Sequence, residues 1–548
     1  RSVTLAAGHD AIWTIVRRKD RGGLAMRAAF LPVGVRDVKT IRPRAGEAAR
    51  IIVDSAIGTH RIAIRLFDEA IPILGVTTSL RPSVPLLTSF VPRDLYPLDA
   101  LDDPLGAKGN VEAAQPGFNR GAIYFRLEEP AFGSVLYFQN LTNLNSYFRA
   151  TDTKPDGAVG GIWPEMGYLP PTPPQRGEPA ADPVPANEKL VISDALVASQ
   201  DDPSGDDQEM GGRYLSLLGA ALLKVEAPAC EFHDWPDRAT RTLDDLAKAP
   251  EATIRHYGHR YVRPYTAAEY PDSMVQLSVL AAIRDYEVWS GKKVAIGSEL
   301  AAGLHKFYDP RLKTLRRYLP NVGKDKDKNA VDSWYLYHPL SKLGRLAIDG
   351  DKVAMRLFEK SIGFGIRAAR HFDYRWPIQY DVRDFSVLQE ARDDEGLGQT
   401  DVGGMYAYVM LQAFELTDDK LYLDEARAAI DAAIGMRFEL NYQANLTAWG
   451  AAACMRLWRI TDDERYLRQS YVYLASFFHN AAMWESEICH ARHYRNFLGV
   501  TALHDAPYMA LYECFDSFAA FERYLKDSGP DLDPAVRLLV SEYCRYAL

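Results

Sequence analysis

The back half of this 548-residue chain contains four near-copies of one short turn. Each copy follows an apolar helical run and precedes a second amphipathic helix; the copies are Trp289-Ser-Gly-Lys-Lys, Ile348-Asp-Gly-Asp-Lys, Leu416-Thr-Asp-Asp-Lys and Ile460-Thr-Asp-Asp-Glu. Asp and Thr at such turns are favoured N-cap residues of the helix that follows. The repeat therefore predicts a stack of antiparallel helical hairpins, which can close into a ring of inner and outer helices.

Length and composition limit the classes of protein. At 548 residues, two or more domains are expected, and 47% hydrophobic with 25% charged residues is typical of a soluble globular protein. A net charge of -9 without a basic block argues against nucleic acid as a partner. No apolar run is long enough to cross a bilayer, so no membrane partner is expected. The oligomeric state is left open.

The sequence carries no motif for a cofactor or a structural metal. The five cysteines form no Cys-x-x-Cys pair, and there is no phosphate-binding glycine loop, nucleophile elbow or nucleotide fingerprint. We therefore expect no cofactor. No signal peptide is visible, which favours a cytoplasmic protein. The start at Arg1 rather than at a methionine keeps a mature secreted or periplasmic protein as the alternative.

The first part of the chain is rich in predicted strands. The runs with β-branched residues and partial alternation are 11–18, 24–33, 36–42, 49–55, 59–67, 120–127 and 133–139. Many short strands at regular spacing favour an antiparallel β-sandwich over 1–235. We expect a Pro-rich loop at 169–185, a closing apolar run at 214–225, and a domain boundary at 228–236.

Helical periodicity dominates the rest, 236–548, and predicts about five antiparallel helix pairs. The predicted helices are 274–289, 294–307, 334–348, 352–370, 402–416, 421–434, 446–460, 466–478, 508–525 and 534–546, with one more near 238–256. Turns are short on one face of the stack and long on the other. The long connections are expected to carry function.

A β-sandwich followed by a ring of helical hairpins resembles the (α/α)6-barrel, or six-hairpin, glycosidase superfamily. The stretch from Gly396 to Asp401, followed by a helix and the turn at Leu416, is also similar to the C-terminal domain of uronyl C5-epimerases. The resemblance implies an (α/α)6-type helical toroid over 236–548 as the catalytic domain. It implies a glycoside hydrolase or phosphorylase, more often inverting than retaining. It also implies a carbohydrate site where the inner helices begin, with a loop from the sandwich reaching over it.

Five long connections enter the predicted inner helices and hold most of the aromatic and acidic residues of this part. In chain order, from the first to the fifth, they are 256–270, 332–338, 374–401, 439–449 and 484–505. A sugar site needs aromatic faces against C–H surfaces, and amide or carboxylate groups to bond hydroxyls. For any single aromatic residue, packing of an inner helix is the alternative interpretation. The predicted substrate-binding residues are Trp334, Tyr337, His338, Trp376, Tyr380, Asp381, Gln399, Asn441, Tyr442, Asn445, Trp449, Trp484, His504 and, from the sandwich, Trp163.

Carboxylates crowd the third connection beside two glycines, and crowding of like charges raises the pKa of one of them, as a general acid requires. The alternative is an exposed acidic turn that caps the next helix. An opposing carboxylate from the fourth or fifth connection would activate water. The predicted catalytic residues are Asp393, Asp394, Glu395 and Asp401 as the acid, and Glu439 or Glu485 as the opposing group.

The histidines support weaker hypotheses. His490 and His493 are spaced i, i+3 and, with Glu487, would make three metal ligands, but no His-Glu-x-x-His motif is present, so we predict no metal. His338 and His504 are candidates for a base in an epimerase or lyase. The amide- and aromatic-rich segments 137–148 and 163–168 are expected to reach toward the mouth of the toroid.

The function expected from the sequence is hydrolysis of an oligo- or polysaccharide by carboxylate acid/base catalysis, with inversion. One alternative is a uronate C5-epimerase or polysaccharide lyase that uses Tyr and His, with Arg263, Arg375, Arg383 or Arg492 binding the substrate carboxylate. The other is a non-catalytic glycan-binding protein, which requires aromatic contacts but no two opposed carboxylates.

Overall fold

The computed structural model describes residues 2–19, 21–87, 92–114, 121–171, 182–201, 205–265, 270–320, 326–390, 398–501 and 508–548. The chain forms two compact units. The first comprises Arg1–Cys230, Leu474–Phe518 and Pro530–Ala547, and the second comprises Glu231–Tyr473, Ala519–Gly529 and Leu548. The domain limits predicted from the sequence, 1–235 and 236–548, remain a prediction.

The first unit contains two antiparallel sheets. Its strands are β1 Ser2–Ala7, β2 Ala11–Arg17, β3 Gly23–Phe30, β4 Val35–Ile41, β5 Ala49–Ser55, β6 Gly58–Phe67, β7 Ile73–Pro82, β8 Leu95–Leu98, β9 Lys108–Ala113, β10 Ala122–Glu129, β11 Gly133–Gln139, β12 Val159–Ile162, β13 Glu165–Tyr168 and β14 Leu190–Gln200. One sheet has the order β1-β2-β3-β8-β13-β12, and the other has the order β4-β5-β6-β7-β14-β11-β10-β9. Both contribute buried side chains to one hydrophobic core.

Alternation along the strands explains this core. In β6, His60, Ile62 and Ile64 are buried while Arg61 is exposed, as a strand with one covered face requires. β6 begins at Gly58 with a φ of 143°, and a Cβ there would lie 2.3 Å from the carbonyl oxygen of Arg81. Only glycine fits this close approach between strands. The strands predicted from the sequence in this region are confirmed.

The apolar run at 214–225, which the sequence was expected to use to close the sandwich, lies mainly in a helix. After a short helix α1 Asn145–Thr151, the unit forms α2 Asp207–Leu222. The side chain of Asp206 caps α2 by accepting the backbone N–H groups of Gln208 and Glu209, both at 3.0 Å. Apolar residues of this run are spaced for one face of a helix, and α2 contacts β14 and β11 of the second sheet.

The second unit is built mainly from helical hairpins. The helices of the rest of the chain are α3 Trp235–Lys248, α4 Ser273–Ser290, α5 Ala295–Gly303, α6 Ser333–Ile348, α7 Lys352–His371, α8 Val402–Thr417, α9 Lys420–Ala432, α10 Ala444–Thr461, α11 Glu464–His479, α12 Leu511–Ser528 and α13 Pro534–Ala547. Short strands lie between them: β15 Thr253–His256, β16 His259–Val262, β17 Tyr308–Asp309, β18 Thr314–Leu315, β19 Ala330–Asp332, β20 Gln379–Asp381 and β21 Val387–Gln389.

The four repeated turns connect α4 to α5, α6 to α7, α8 to α9 and α10 to α11, as predicted. Their residues explain the reversals. Gly291, Asp418 and Asp462 adopt left-handed conformations that end the first helix of three of these hairpins. Asp351 and Asp419 then cap the second helix of two hairpins through their side chains.

The first helices of successive hairpins, α4, α6, α8 and α10, contact one another in that order. Residues 402–413 of α8 and 444–455 of α10 are buried on every face, whereas α7 and α9 are buried on one side only. We therefore call α4, α6, α8 and α10 the inner helices. In the part of the chain that the structure describes, every helix is too short or too polar to span a membrane.

Candidate functional site

Two inner helices begin with the same dipeptide. Asp272 and Ser273 start α4, and Asp332 and Ser333 start α6. The backbone N–H of Ser273 donates to the carbonyl of Arg317 at 2.9 Å, and that of Ser333 donates to the carbonyl of Ile378 at 3.0 Å. The first residue of α4 and of α6 is thus bonded to a loop residue distant in sequence.

The two aspartates use their carboxylates differently. Asp272 caps its own helix, because its Oδ1 accepts the backbone N–H of Val275 at 2.8 Å. Asp332 makes no capping bond to α6. Its Oδ2 instead accepts from Nη1 of Arg317 at 2.9 Å, and its Oδ1 accepts from Nε2 of Gln379 at 3.0 Å. The carboxylate of Asp332 thus forms an ion pair and a side-chain hydrogen bond in place of the helix cap that its position would allow.

Arg317 lies at the centre of this arrangement. Its guanidinium carbon is 4.4 Å from the ring centroid of Tyr335 and 5.1 Å from that of Tyr318, both within cation–π range. We call the following set the Arg317 cluster: Asp272, Arg317, Tyr318, Asp332, Tyr335 and Gln379.

Burial sets the protonation of the Arg317 cluster. Burial raises the pKa of Asp272, against the lowering effects of Tyr335, the Val275 N–H and Arg317. Burial, followed by the charge of Asp272, raises the pKa of Tyr335 well above its ordinary value. Arg317 keeps its charge: burial lowers its pKa, but the neighbouring tyrosines and aspartates raise it more. The cluster therefore holds a cation, a neutral phenol and a carboxyl group with increased proton affinity.

Aromatic surface lies next to this cluster. Trp334 is half-buried, and its ring centroid is 5.0 Å from that of Tyr335 and 5.6 Å from that of His338. Tyr318 is half-buried as well. The backbone N–H of Trp334 donates to Oε1 of Gln399 at 2.9 Å. Partly exposed rings beside carboxylate and amide groups are the chemistry that a polyhydroxylated ring requires of its binding site.

The beginnings of α8 and α10 form a second polar region. Asp401 is fully buried, and its Oδ2 accepts the backbone N–H of Gln443 at 2.5 Å and the hydroxyl of Thr447 at 3.3 Å. Among the described residues, Nε2 of Gln399, Oδ1 of Asn441 and Oε1 of Gln443 are buried without a hydrogen-bond partner. Buried amide atoms of this kind require a partner, such as water or a ligand.

Three of the six predicted catalytic residues lie among the described residues, and three do not. Asp393, Asp394 and Glu395 lie outside the described residues. Asp401 is in the buried region just described. Glu439 is exposed in a short 3₁₀ turn, where its backbone carbonyl accepts the hydroxyl of Thr400. Asp401 and Glu439 thus lie on neighbouring connections of the second unit, joined through Thr400.

Several predicted binding residues are engaged in the interior. Tyr337, Trp376 and Tyr380 are buried, and Nε1 of Trp376 donates to the hydroxyl of Tyr337 at 3.1 Å. The hydroxyl of Tyr337 donates in turn to the carbonyl of Gly365 at 3.0 Å. Asp381 is buried and paired with Arg383 through its Oδ2 at 2.6 Å. Tyr337 and Trp376 are thus hydrogen-bonded to each other in the interior, and Asp381 is ion-paired.

The other predicted residues of the second unit concentrate at two helix beginnings. Trp334 and His338 lie in the first turns of α6, with His338 buried under the indole of Trp334. The remaining ones are buried at or just before the start of α10: Asn441, Tyr442, Asn445 and Trp449. Trp449 packs on Tyr408 with ring centroids 4.4 Å apart. Gln399 lies between these groups in sequence.

The fifth connection belongs to the first unit. Asn145 holds it, because Nδ2 donates to the carbonyl of Glu485 at 2.8 Å and Oδ1 accepts the N–H of Glu487 at 3.0 Å. Oε1 of Glu485 is 3.5 Å from Nη1 of Arg495, and Oε2 is buried without a partner among the described residues. The amide-rich segment 137–148 thus contributes to holding this connection.

Trp484 lines a groove of about 450 Å³ in the first unit, together with His490, Tyr494, Asn496 and Asp156. Trp163 lies in the same unit but packs inward. Its Nε1 donates to the carbonyl of Ala107 at 3.1 Å, and its ring contacts Phe125. His504 lies outside the described residues. No group of three His, Cys, Asp or Glu side chains suited to a metal ion occurs in the part of the chain that the structure describes.

None of the six residues of the Arg317 cluster was among the site residues predicted from the sequence. A signal for two of the missed positions was present. An Asp-Ser pair precedes the apolar run of both α4 and α6, so Asp272 corresponds to Asp332 at the start of the next inner helix. Arg317 carries no comparable signal, since it is brought to both aspartates only by tertiary structure.

No protein-family model matches the chain, and no curated protein matches it in sequence. Among solved structures it is similar to a D-mannose isomerase, at 11% identity and a TM-score of 0.39 over 59% of this chain and 86% of that chain. It is similar to a GH76 alpha-mannanase of Bacteroides thetaiotaomicron, at 12% identity and 0.36 over 59% and 84%. A sugar epimerase from a ruminal bacterium matches at 13% identity and 0.40 over 60% and 88%.

Proposed function

We propose that the chain is a carbohydrate-active enzyme, specifically a glycoside hydrolase whose acid and opposing carboxylate lie where the inner helices begin. The observation that supports this proposal is the pairing of Asp272 with Asp332 around Arg317. The two carboxyl groups stand at the same position of adjacent inner helices, in different environments. In glycoside hydrolysis the acid and its partner carboxylate typically differ in proton affinity, because their environments differ.

Asp272 is the proposed general acid. Burial raises its pKa, so its proton is retained to a higher pH than in an exposed aspartic acid. Donation of that proton to the glycosidic oxygen would leave a carboxylate beside the charged guanidinium of Arg317, which stabilises it. The neutral hydroxyl of Tyr335 is a further neighbour of this carboxyl group.

Asp332 is the proposed opposing carboxylate. Its two oxygens accept one bond each, from Arg317 and Gln379, so each keeps lone pairs for a water molecule. An ion-paired, hydrogen-bonded carboxylate is held in one orientation, as a base that positions water must be. The half-buried ring of Trp334 beside it offers a stacking surface for a sugar.

The carboxylates predicted from the sequence stay part of the proposal as alternatives. Asp401 is buried and bonds to the start of α10, which suits a residue that positions the binding surface. Glu485 has a buried oxygen without a partner among the described residues. A glycan-binding protein without activity requires only one acid at this end of the helices. The presence of both Asp272 and Asp401 in the interior there argues against it.

An epimerase or lyase mechanism with Tyr335 as base is disfavoured by the electrostatics. A phenol whose pKa is raised well above its ordinary value stays protonated near pH 7 and is a poor proton acceptor. His338 is fully buried in α6, away from solvent. A hydrolase therefore agrees better with these groups than proton abstraction from a sugar carbon does.

The test is hydrolysis of an oligosaccharide panel in ¹⁸O-water, followed by mass spectrometry. The wild-type chain should yield products that gain one labelled oxygen. Asp272→Asn and Asp332→Asn should each lower kcat by about 100-fold or more, the range of a lost acid or base. The matched control is Asp285→Asn, since Asp285 is also on α4 and burial also raises its pKa, but it lies near the other end of the helix.

Parallel amide variants rank the alternatives, namely Asp401→Asn, Glu439→Gln and Glu485→Gln. Circular dichroism confirms that each variant is folded before its activity is compared. The proposal is refuted if Asp272→Asn and Asp332→Asn both hydrolyse the substrate as fast as the control. Deuterium uptake from solvent without a gain of water would replace hydrolysis with epimerisation.

A further inference from the structure

A row of positively charged side chains runs along the exposed face of α7. Lys352, Arg356 and Lys360 recur every four residues, and Arg367 lies seven residues further on. Residues four and seven positions apart share one face of a helix, so these four side chains form a stripe. All four are exposed, whereas the apolar side of α7 is buried.

The loop that ends at Lys313 adds two cations to this stripe. Nη2 of Arg367 donates to the carbonyl of Leu312 at 3.2 Å, and β18, which follows the loop, contacts α7. Arg311 and Lys313 flank Leu312 and are exposed. We call the following set the basic face: Arg311, Lys313, Lys352, Arg356, Lys360 and Arg367.

Neighbouring carboxylates do not neutralise the basic face. Among the described residues, none of its six side chains forms an ion pair with Asp or Glu. Asp309 is paired with Arg316 at 2.6 Å, and Asp351 caps α7. Glu359 is exposed on α7, but one carboxylate leaves most of the positive charge unbalanced. Like charges four residues apart destabilise a helix, so an anionic partner would relieve a repulsion that the fold retains here.

The basic face leads toward the Arg317 cluster. From Lys352 to Arg367 the stripe runs about 22 Å, at 1.5 Å per helical residue. α7 packs against α6 after a short turn, so Arg367 lies at the end of the hairpin where α6 begins. Arg317 follows Lys313 by four residues, so their Cα atoms are at most about 14 Å apart. Positive charge thus extends from the outer surface of α7 to the segment that carries Arg317.

The spacing and surroundings of the cations restrict the partner. Cations four residues apart on α7 lie about 6 Å apart along the axis, whereas duplex DNA carries a charge every ~1.7 Å. The wider spacing suits a polymer with one charge on each sugar ring. Insertion into a membrane requires an apolar helix face, and that face of α7 is already buried. Nζ of Lys360 lies 5.8 Å from the ring centroid of the half-buried Tyr308, which offers a sugar a flat surface.

We propose that the basic face binds an acidic polysaccharide with carboxylate or sulfate groups on successive sugars, outside the place where the polymer would be cut. Ammonium and guanidinium groups bind both of these anions. The polymer would pair with Lys352, Arg356 and Lys360 and continue past Arg367 toward Arg317. The choice of a polysaccharide to carry the charges rests on the proposed function, whose substrate class it specifies.

The experiment is calorimetric binding of the full chain to polygalacturonate, dextran sulfate and neutral dextran, at about 0.05 M and about 0.5 M sodium chloride. Both acidic polymers should bind saturably at the lower salt concentration and much more weakly at the higher one, because salt screens exposed charges. The triple variant Lys352→Gln/Arg356→Gln/Lys360→Gln should bind them about tenfold more weakly, the effect of three exposed ion pairs. Any binding of dextran should be the same in the variant and in the wild type.

The matched control is Arg36→Gln/Arg42→Gln/Arg44→Gln, which removes three exposed charges from the first unit and should keep the wild-type affinity. A measurement that needs no variant is amide exchange of the wild-type chain, which polygalacturonate should slow in peptides from α7 and from 308–313. Circular dichroism establishes that both triple variants are folded before their affinities are compared.

Absence of saturable binding of either acidic polymer, equal losses in the two triple variants, or unchanged exchange in α7 would each overturn the proposal. Tighter binding of a DNA duplex or of phosphatidylserine vesicles would also overturn it, by assigning the face to another class of partner. Binding of an acidic polymer without incorporation of ¹⁸O from water would refute the hydrolase proposal and leave the basic face standing. Hydrolysis of neutral sugars by a chain that binds no acidic polymer would do the reverse.

Discussion

Replacement of Asp94 by asparagine should remove one component of the pH dependence of stability in the first unit. Asp94 is 6% exposed and immediately precedes β8. Burial is the largest cause of its shift and raises its pKa from 3.8 to about 6, although bonds from Tyr168 and Tyr137 act in the opposite direction. The folded state therefore binds a proton more tightly at this site than the unfolded state does.

The sign and size follow from linkage. Because the folded pKa is raised, the stabilisation from this group is fully present below the unfolded pKa and is lost as the pH rises through about 6. A shift of about two pKa units, at 1.36 kcal/mol each, corresponds to roughly 3 kcal/mol. The free energy of unfolding of the wild-type unit should thus fall by this amount, relative to the variant, between about pH 4 and about pH 7.

Asparagine can keep the hydrogen bonds of Asp94. Its carbonyl oxygen can accept the backbone N–H of Tyr168, and its amide can donate to the hydroxyl oxygen of Tyr137. The Tyr137 hydroxyl can then direct its own proton to Oε1 of Gln139, which lies 2.9 Å away. The variant therefore loses the titration without losing an acceptor or donor, and it should be the more stable form near pH 7.

The assay is urea unfolding at several pH values, with pulse-labelled hydrogen exchange of peptides from β8 and β13 to report on the first unit. Asp68→Asn, a change at an exposed aspartate, is the control and should parallel the wild type. The pKa of His60 is lowered, so His60 contributes stability above its unfolded pKa that is lost as the pH falls through about 4. That contribution is common to all three proteins and cancels in the differences. Parallel profiles for Asp94→Asn and the wild type would refute the buried-carboxyl argument.

Three further predictions concern packing and hydrogen bonds. Gly404→Ala should destabilise the second unit by about 1–3 kcal/mol in urea unfolding, because its Cβ would lie 2.4 Å from a backbone atom of α10. The control is Gly363→Ala at an exposed position on α7, which should stabilise the unit by about 0.5–1 kcal/mol. Equal gains in both would contradict the close approach of α8 and α10. Asn145→Ala removes two hydrogen bonds to the backbone of 484–487 and should speed amide exchange there. The free energy of unfolding should fall by about 1–3 kcal/mol. Unchanged exchange would show that Asn145 does not hold this segment. Glu425→Gln should lower the midpoint of thermal unfolding. This buried carboxylate accepts two tyrosine hydroxyls at 2.6 and 3.0 Å, and each bond contributes about 1.5–3 kcal/mol. An unchanged midpoint would contradict a stabilising role for these two bonds.

Local signals in the sequence were sufficient for most elements. The turns at Ile348 and Leu416 were predictable because N-caps and left-handed C-caps depend on a few adjacent residues. The helical form of the run at 214–225 was not predicted, because a short apolar run has no decisive period and the capping residue Asp206 lies before it. The assignment of α2 required that cap together with the pairing of β14 with β7 and β11.

The candidate site was less accessible to prediction. Aromatic residues near the inner helices were chosen by type, but Tyr337 and Trp376 bond to each other in the interior while Trp334 remains half-buried. Sequence does not separate these outcomes, since all three precede or enter inner helices. Arg317 lies in a connection that has no acidic or aromatic cluster as conspicuous as the others, and only the fold brings it to Asp332.

The use of each carboxylate distinguishes a positioning role from a chemical one. Asp401 bonds the N–H of Gln443 and the hydroxyl of Thr447 from a fully buried position, so its charge is committed to the start of α10. Asp401→Asn should therefore lower stability by about 1–3 kcal/mol, with any loss of activity accompanying the loss of fold. Asp332 caps nothing and is partly exposed, so Asp332→Asn should lower kcat with little change in the unfolding midpoint. If the two variants showed the reverse pattern, the chemistry would belong to the α8–α10 end rather than to the Arg317 cluster.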